Sequence, residues 1–173
     1  MTRRLILTRH AKSSWDDPMM SDHARPLNAR GRQAAADLGA WLASRGYVPG
    51  EVLCSDATRT RETWALIAAA LDASAPETTP LLVLKPALYH APADVMMAVL
   101  RHAQAETVMM VGHNPGIAEF AERIVAQAPA HSAYQRYPTG ATLVASFEID
   151  AWQDVTFGSG AVRDFVVPRE LAV

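Results

Sequence analysis

Apolar residues in this chain fall into short compact runs separated by longer stretches with helical spacing. Runs near residues 4–8, 51–54, 81–84 and 107–111 are aliphatic and bounded by turn residues, the pattern of buried strands. Two more, near 141–149 and 161–167, follow each other without room for a crossover helix and are expected to pair antiparallel at one edge. Between the runs, Asn28 can cap a helix that reaches about Arg45, with Leu38 and Leu42 on one face and Gly46 as its stop. Ser55 can cap a second helix, Asp94 lies near the start of a third, and a fourth opens with Asn114-Pro115, a capping side chain before a proline at the first helical position. This alternation predicts an α/β fold, a three-layer α/β/α sandwich around a mostly parallel sheet with an antiparallel edge. The longest irregular segments expected are Ala11 to Leu27 and Ala128 to Gly140.

In an open parallel sheet, ligands bind beyond the carboxyl ends of the strands, so the residues that follow each run carry the chemistry. Arg9 and His10 follow the first, Ser55 and Arg59 the second, Tyr89 and His90 the third, and Gly112, His113 and Asn114 the fourth. An imidazole beside a guanidinium can attack phosphorus while a fixed cation holds the phosphate oxygens. His10 is therefore the candidate nucleophile, kept neutral by neighbouring guanidinium charge, with its second ring nitrogen expected to donate to a backbone carbonyl. Arg59 is preferred to Arg61 because at 100° per residue it shares a helical face with Ser55 and Thr63, while Arg61 points about 200° away. His113 stands just ahead of a helix whose amide end would favour an anion. Trp15, just past His10, either lines the pocket or packs in the core.

Composition narrows the partners. Of 173 residues half are apolar, enough for one domain over 1–173. Sixteen basic against eighteen acidic side chains leave a net charge of −2, so no global field attracts nucleic acid or a membrane surface. Cys54 is the only cysteine, which excludes an internal disulfide. No apolar run approaches the ~18 residues of a membrane span, and a strand so near the amino terminus leaves no room for a signal peptide, so a soluble, cytoplasmic protein is expected. No dinucleotide or P-loop glycine motif occurs, and His23, His102 and His131, read as solvated, have no metal-ligand spacing.

The segments LTRHAKSSWDD at 7–17, RPLNARGR at 25–32, SDATRTRET at 55–63 and VGHNPG at 111–116 together resemble the histidine phosphatase superfamily, whose signature is an RHG tripeptide, and within it the small SixA-type phosphohistidine phosphatases. The resemblance implies a phosphoglycerate mutase-like fold, a covalent phosphohistidine on His10, and oxygens held by Arg9, Arg59 and His113, with Arg25 as a further phosphate contact; it also implies hydrolysis by water with no metal or organic cofactor required. Ser13 and Asn114 are the other expected substrate contacts. Ala11 replaces the glycine of RHG, and Asp56 stands where many relatives carry proline.

Many relatives have a glutamate after the third strand, where this chain has Leu88-Tyr89-His90. Asp16, Asp17 and Asp22 in the first loop, and His90, are the substitutes for the general acid. A phosphohistidine leaves as an imidazole whose conjugate acid has a pKa of about 6.5, so it demands less of that acid than an alkoxide does. The expected function is removal of a phosphoryl group from phosphohistidine on a protein. The alternatives are a small-molecule phosphomonoesterase of the same superfamily and a non-catalytic phosphoprotein-binding module. Mutase activity is disfavoured because Lys12 and Asp16 replace the glutamate and asparagine of the mutase segment, and the long insertions that roof a mutase site are missing.

Overall fold

The computed structural model describes residues 1–172. Six strands and four α-helices alternate in chain order: β1 (Thr2–Arg9), α1 (Ala29–Ser44), β2 (Glu51–Cys54), α2 (Thr58–Ser74), β3 (Leu81–Leu84), α3 (Ala93–Leu100), β4 (Thr107–Gly112), α4 (Gly116–Ile124), β5 (Thr142–Glu148) and β6 (Ala161–Val166). The strands form one sheet in the order β3-β2-β4-β1-β5-β6. The first four run parallel and β5 is antiparallel to both β1 and β6, so the antiparallel edge forms where the missing crossover helix predicts it.

The central strands read as unbroken apolar runs because both of their faces are covered. Leu5 and Leu7 of β1, with Val108 and Met110 of β4, pack against Met96, Leu100, Ile117 and Phe120 of α3 and α4. Ile6, Met109 and Val111 face the opposite layer, where Leu38 and Leu42 of α1 meet Trp64, Ile67 and Leu71 of α2. Each such side chain, fully buried, contributes about 1.5–3 kcal/mol. β3 at the outer edge is short, and its leucines are largely exposed.

Asn28 caps α1 as expected, its side chain accepting from Gly31 N at 2.8 Å, and Gly46 ends the helix region with φ +71°. Two caps differ from expectation. Ser55 does not cap α2: Ala57 holds that position, and the Ser55 hydroxyl is drawn to His113 instead. Asn114 does not cap α4 either, since Pro115 takes the position and the Asn114 amide reaches across to the carbonyls of Arg136 and Tyr137, at 2.9 and 3.1 Å. His131 is not solvated, being bonded to Glu170 and set edge-on to Phe165.

The segment 128–140 is irregular yet fastened. Tyr137 is fully buried with its hydroxyl on Leu7 O and Leu143 N, which fixes the chain behind the ends of β1 and β5. The segment 11–27 is clasped to itself and to the helices by Ser14 N to Pro26 O, Asn28 N to Lys12 O, and Ala11 N to Thr63 Oγ1.

Candidate functional site

A cleft of about 490 Å³ opens at the carboxyl ends of β1, β2 and β4, lined by Arg9, His10, Ser13, Trp15, Asp22, Arg25, Arg59, His90, His113 and Asn114, with Lys12, Pro138 and Thr139 at its edge. Segments far apart in the chain converge here because each follows a parallel strand.

His10 is the first residue past β1, and its amide donates to Gly112 O of the neighbouring β4. Its Nδ1 lies 2.7 Å from Ala11 O, so Nδ1 carries the proton and Nε2 is left with its lone pair. Burial, together with the charges of Arg9, Arg59 and Arg25, pushes its pKa down to about 3 against the opposing effect of the Ala11 carbonyl. The ring is neutral at physiological pH. His113 lies 5.3 Å away, ring centre to ring centre. Burial, then His10 and Arg59, push its pKa down to about 3 as well. Its Nε2 is fixed at 2.8 Å from Ser55 Oγ.

Arg59 rises from the first turn of α2 and is 2% exposed. Both arms of its guanidinium go to Asp22, Nη1 to the backbone carbonyl at 2.6 Å and Nη2 to Oδ2 at 3.0 Å. Arg25 reaches Asp22 Oδ1 through Nη2 at 3.0 Å, donates to Ser13 Oγ, and lies 3.6 Å from the centre of the Trp15 ring. Trp15, 76% exposed, thus covers a guanidinium rather than the core. Tyr89 and His90 complete the ring around Asp22, the phenol donating to Oδ2 and His90 Nε2 lying 3.1 Å from it. Burial tends to raise the Asp22 pKa, but hydrogen bonds from Tyr89, Arg25 and Arg59 hold the carboxyl well below the usual carboxylate range.

Arg9 Nη1 donates to Tyr137 O at 3.2 Å. Arg9 Nε, Arg59 Nε and His113 Nδ1 are buried without a hydrogen-bond partner among the described residues. Buried polar atoms left unmatched are costly, and the three residues that carry them come from three chain segments to line one cleft rich in guanidinium groups.

Some expected residues sit elsewhere. Asp16 and Asp17 are exposed in the first loop, outside the cleft lining, and Arg61 is exposed. Gly116, the first residue of α4, packs tightly against the chain ahead of α3: a Cβ there would lie 1.7 Å from Ala91 O. Two residues carry more than the sequence reading gave them. Ser55 orients His113, and Tyr89 holds Asp22. The sequence signal for the first is its place, directly after the β2 run and four residues ahead of Arg59.

Among the described residues no group of three His, Cys, Asp or Glu side chains could hold a metal ion, and no helix is long and apolar enough to cross a membrane.

Residues 5–83 match the family model described as histidine phosphatase superfamily (branch 1). An uncharacterised chloroplastic protein of Arabidopsis thaliana is 36% identical over 139 residues, 72% of this chain, which spans 60% of that relative's length. An uncharacterised protein of Mycobacterium tuberculosis is 33% identical over 167 residues, covering 93% of this chain and 99% of the relative. The structure of a Nakamurella multipartitia protein assigned as the phosphohistidine phosphatase SixA superimposes with a TM-score of 0.78 at 28% identity, over 97% of both chains. The strand order, the convergent cleft and these matches agree: the chain belongs to the histidine phosphatase superfamily.

Proposed function

We propose that this protein is a phosphatase that takes the phosphoryl group from phosphohistidine on a protein, through a covalent intermediate on His10. The observation that carries the reading is the convergence of a neutral imidazole, with Nε2 free, and of Arg9, Arg59 and His113 on one cleft. The Nε2 lone pair of His10 attacks phosphorus as the substrate P–N bond breaks and its electron pair returns to the leaving imidazole, which takes up a proton. Water then attacks the phosphoryl group, the P–Nε2 bond breaks, and phosphate leaves with His10 neutral again. Arg9, Arg59 and His113 neutralise the oxygens, where charge stabilisation does most of the work. Arg25 is a further phosphate contact, with Ser13 and Asn114 positioned beside it.

Of the candidate proton donors, Asp22 is held ionised and serves to fix the two guanidiniums, and Asp16 lies outside the cleft. His90 lines the cleft and pairs with Asp22, so we assign it to carry the proton to the leaving group. A nitrogen leaving group needs only this modest donor. Cys54, buried and the only cysteine, fits a reducing compartment such as the cytoplasm.

The test is dephosphorylation of a histidine-phosphorylated phosphotransfer domain beside a panel of small phosphoesters. Faster turnover of the phosphodomain supports the proposal. Efficient cleavage of the esters with the phosphodomain untouched would assign the protein to small-molecule phosphomonoesterases, and binding without turnover to phosphoprotein-binding modules.

A further inference from the structure

A second groove, of about 560 Å³, adjoins the catalytic cleft and shares Lys12, Pro138 and Thr139 with it. One wall is the first turns of α1, with Arg30 and Gln33; the other is the chain around Arg136 and the short turn at Pro168–Glu170, with Arg169. Lys12, Arg30, Arg136 and Arg169 are all exposed, and none is in a salt bridge among the described residues. The one acid in the lining, Asp37, accepts from Gln33 at 2.9 Å. On a protein whose net charge is −2, four cations against one acid around a single groove are a local concentration of positive charge.

We propose that this groove docks the polypeptide that flanks the phosphorylated residue, and that it selects segments rich in Asp and Glu. The assignment rests on the phosphatase reading above, to which it adds the recognition of the protein around the scissile bond. Three observations carry it. The groove adjoins the cleft at Lys12, Pro138 and Thr139, so the chain that flanks a phosphoryl group held in the cleft can lie along it. Its charge complements an acidic segment, and exposed cations of this kind steer encounter and set partner preference. Ala133, Pro138, Val167 and Pro168 give it an apolar component suited to an extended main chain, while no aromatic side chain lines it for base stacking. A polypeptide therefore fits better than a nucleic acid.

The test compares two histidine-phosphorylated peptides, one flanked by Asp and Glu and one by Gly and Ser, with wild-type protein and the double variant Arg30→Glu/Arg169→Glu. Both positions are exposed, and a glutamate in the first turn of α1 is favourable to the helix, so the variant should fold. Wild type is expected to prefer the acidic peptide by about tenfold in kcat/KM, through KM, and to lose the preference in high salt. The variant is expected to lose that preference while hydrolysing phosphoramidate at the wild-type rate. Equal turnover of the two peptides by wild type, or a preference unchanged in the variant, would overturn the proposal. Binding of the unphosphorylated acidic peptide, followed by fluorescence anisotropy, reports on the groove without turnover. If wild type hydrolyses neither peptide nor phosphoramidate, the phosphatase reading fails; salt-dependent peptide binding that the variant lacks would still support the groove, and no binding would remove it. A single-stranded oligonucleotide bound as tightly as the acidic peptide would overturn the choice of polypeptide.

Discussion

Asp22 occupies both arms of Arg59: its backbone carbonyl takes Nη1 at 2.6 Å and its carboxylate takes Nη2 at 3.0 Å. One loop residue thereby decides which edge of the guanidinium remains for an oxyanion, and it does so from within the cleft. Replacing the charge should separate the two effects. Asp22→Asn is expected to tighten inhibition by inorganic phosphate or vanadate several-fold, because a fixed negative charge is gone, and to lower kcat about tenfold, because Arg59 and Arg25 lose their common anchor. An inhibition constant equal to that of wild type would show that the anion does not feel this carboxylate.

His10→Ala should abolish the covalent step. With a labelled phosphodomain, wild-type protein is expected to hold acid-labile label after rapid quenching, and the variant none, with kcat down by about 10⁴-fold or more. Label retained on the variant would place the nucleophile elsewhere.

Ser55→Ala leaves His113 Nε2 without its partner in a buried position. We expect a loss of about 1–2 kcal/mol in denaturant unfolding and a fall of about tenfold in kcat/KM, with Ser55→Thr recovering part of both. A stability loss with unchanged kinetics would make the contact purely structural.

Acid should unfold the protein through its two cleft histidines. Each has a folded pKa of about 3, below the ordinary value of 6.5, so between those values the unfolded chain binds more protons than the folded one. Stability is therefore complete above pH 6.5 and falls as pH drops toward 3, by about 1.4 kcal/mol per pH unit for each imidazole. Urea midpoints measured from pH 7 to pH 4.5 should show this slope, and His10→Asn should roughly halve it. A slope untouched by that change would assign acid sensitivity to other groups.

Gly31 in α1 lies against the backbone that follows the nucleophile: a Cβ there would sit 2.0 Å from Lys12 O. Gly31→Ala is expected to cost about 1–3 kcal/mol and to reduce activity by displacing Ala11–Ser13, despite the better helix propensity of alanine. Unfolding midpoints and steady-state rates on the same preparation check both.

The sheet was legible because strand ends and helix caps are local: Asn28, Gly46 and the run Val108–Val111 announce themselves in a few residues each. The convergence of Arg9, His10, Arg59 and His113 followed from the parallel topology and from the spacing of family segments. Ser55 and Asn114 misled because a short polar residue ahead of a helix serves equally as cap or as long-range partner. The partner, His113 for the one and Arg136 for the other, is 58 or 22 residues away and invisible to local reasoning. Asp22 likewise gives no sequence sign of its role, since the loop that carries it is set by contacts to Glu62 and Thr63 on α2.

The Ala11 carbonyl that holds Nδ1 of His10 has a regiochemical outcome. Imidazole can be phosphorylated at either nitrogen, and the two regioisomers differ in lability and in phosphorus resonance. With one nitrogen committed to the backbone, a phosphoryl group on this enzyme has a single address, and its NMR signal should be one line from the Nε2 isomer.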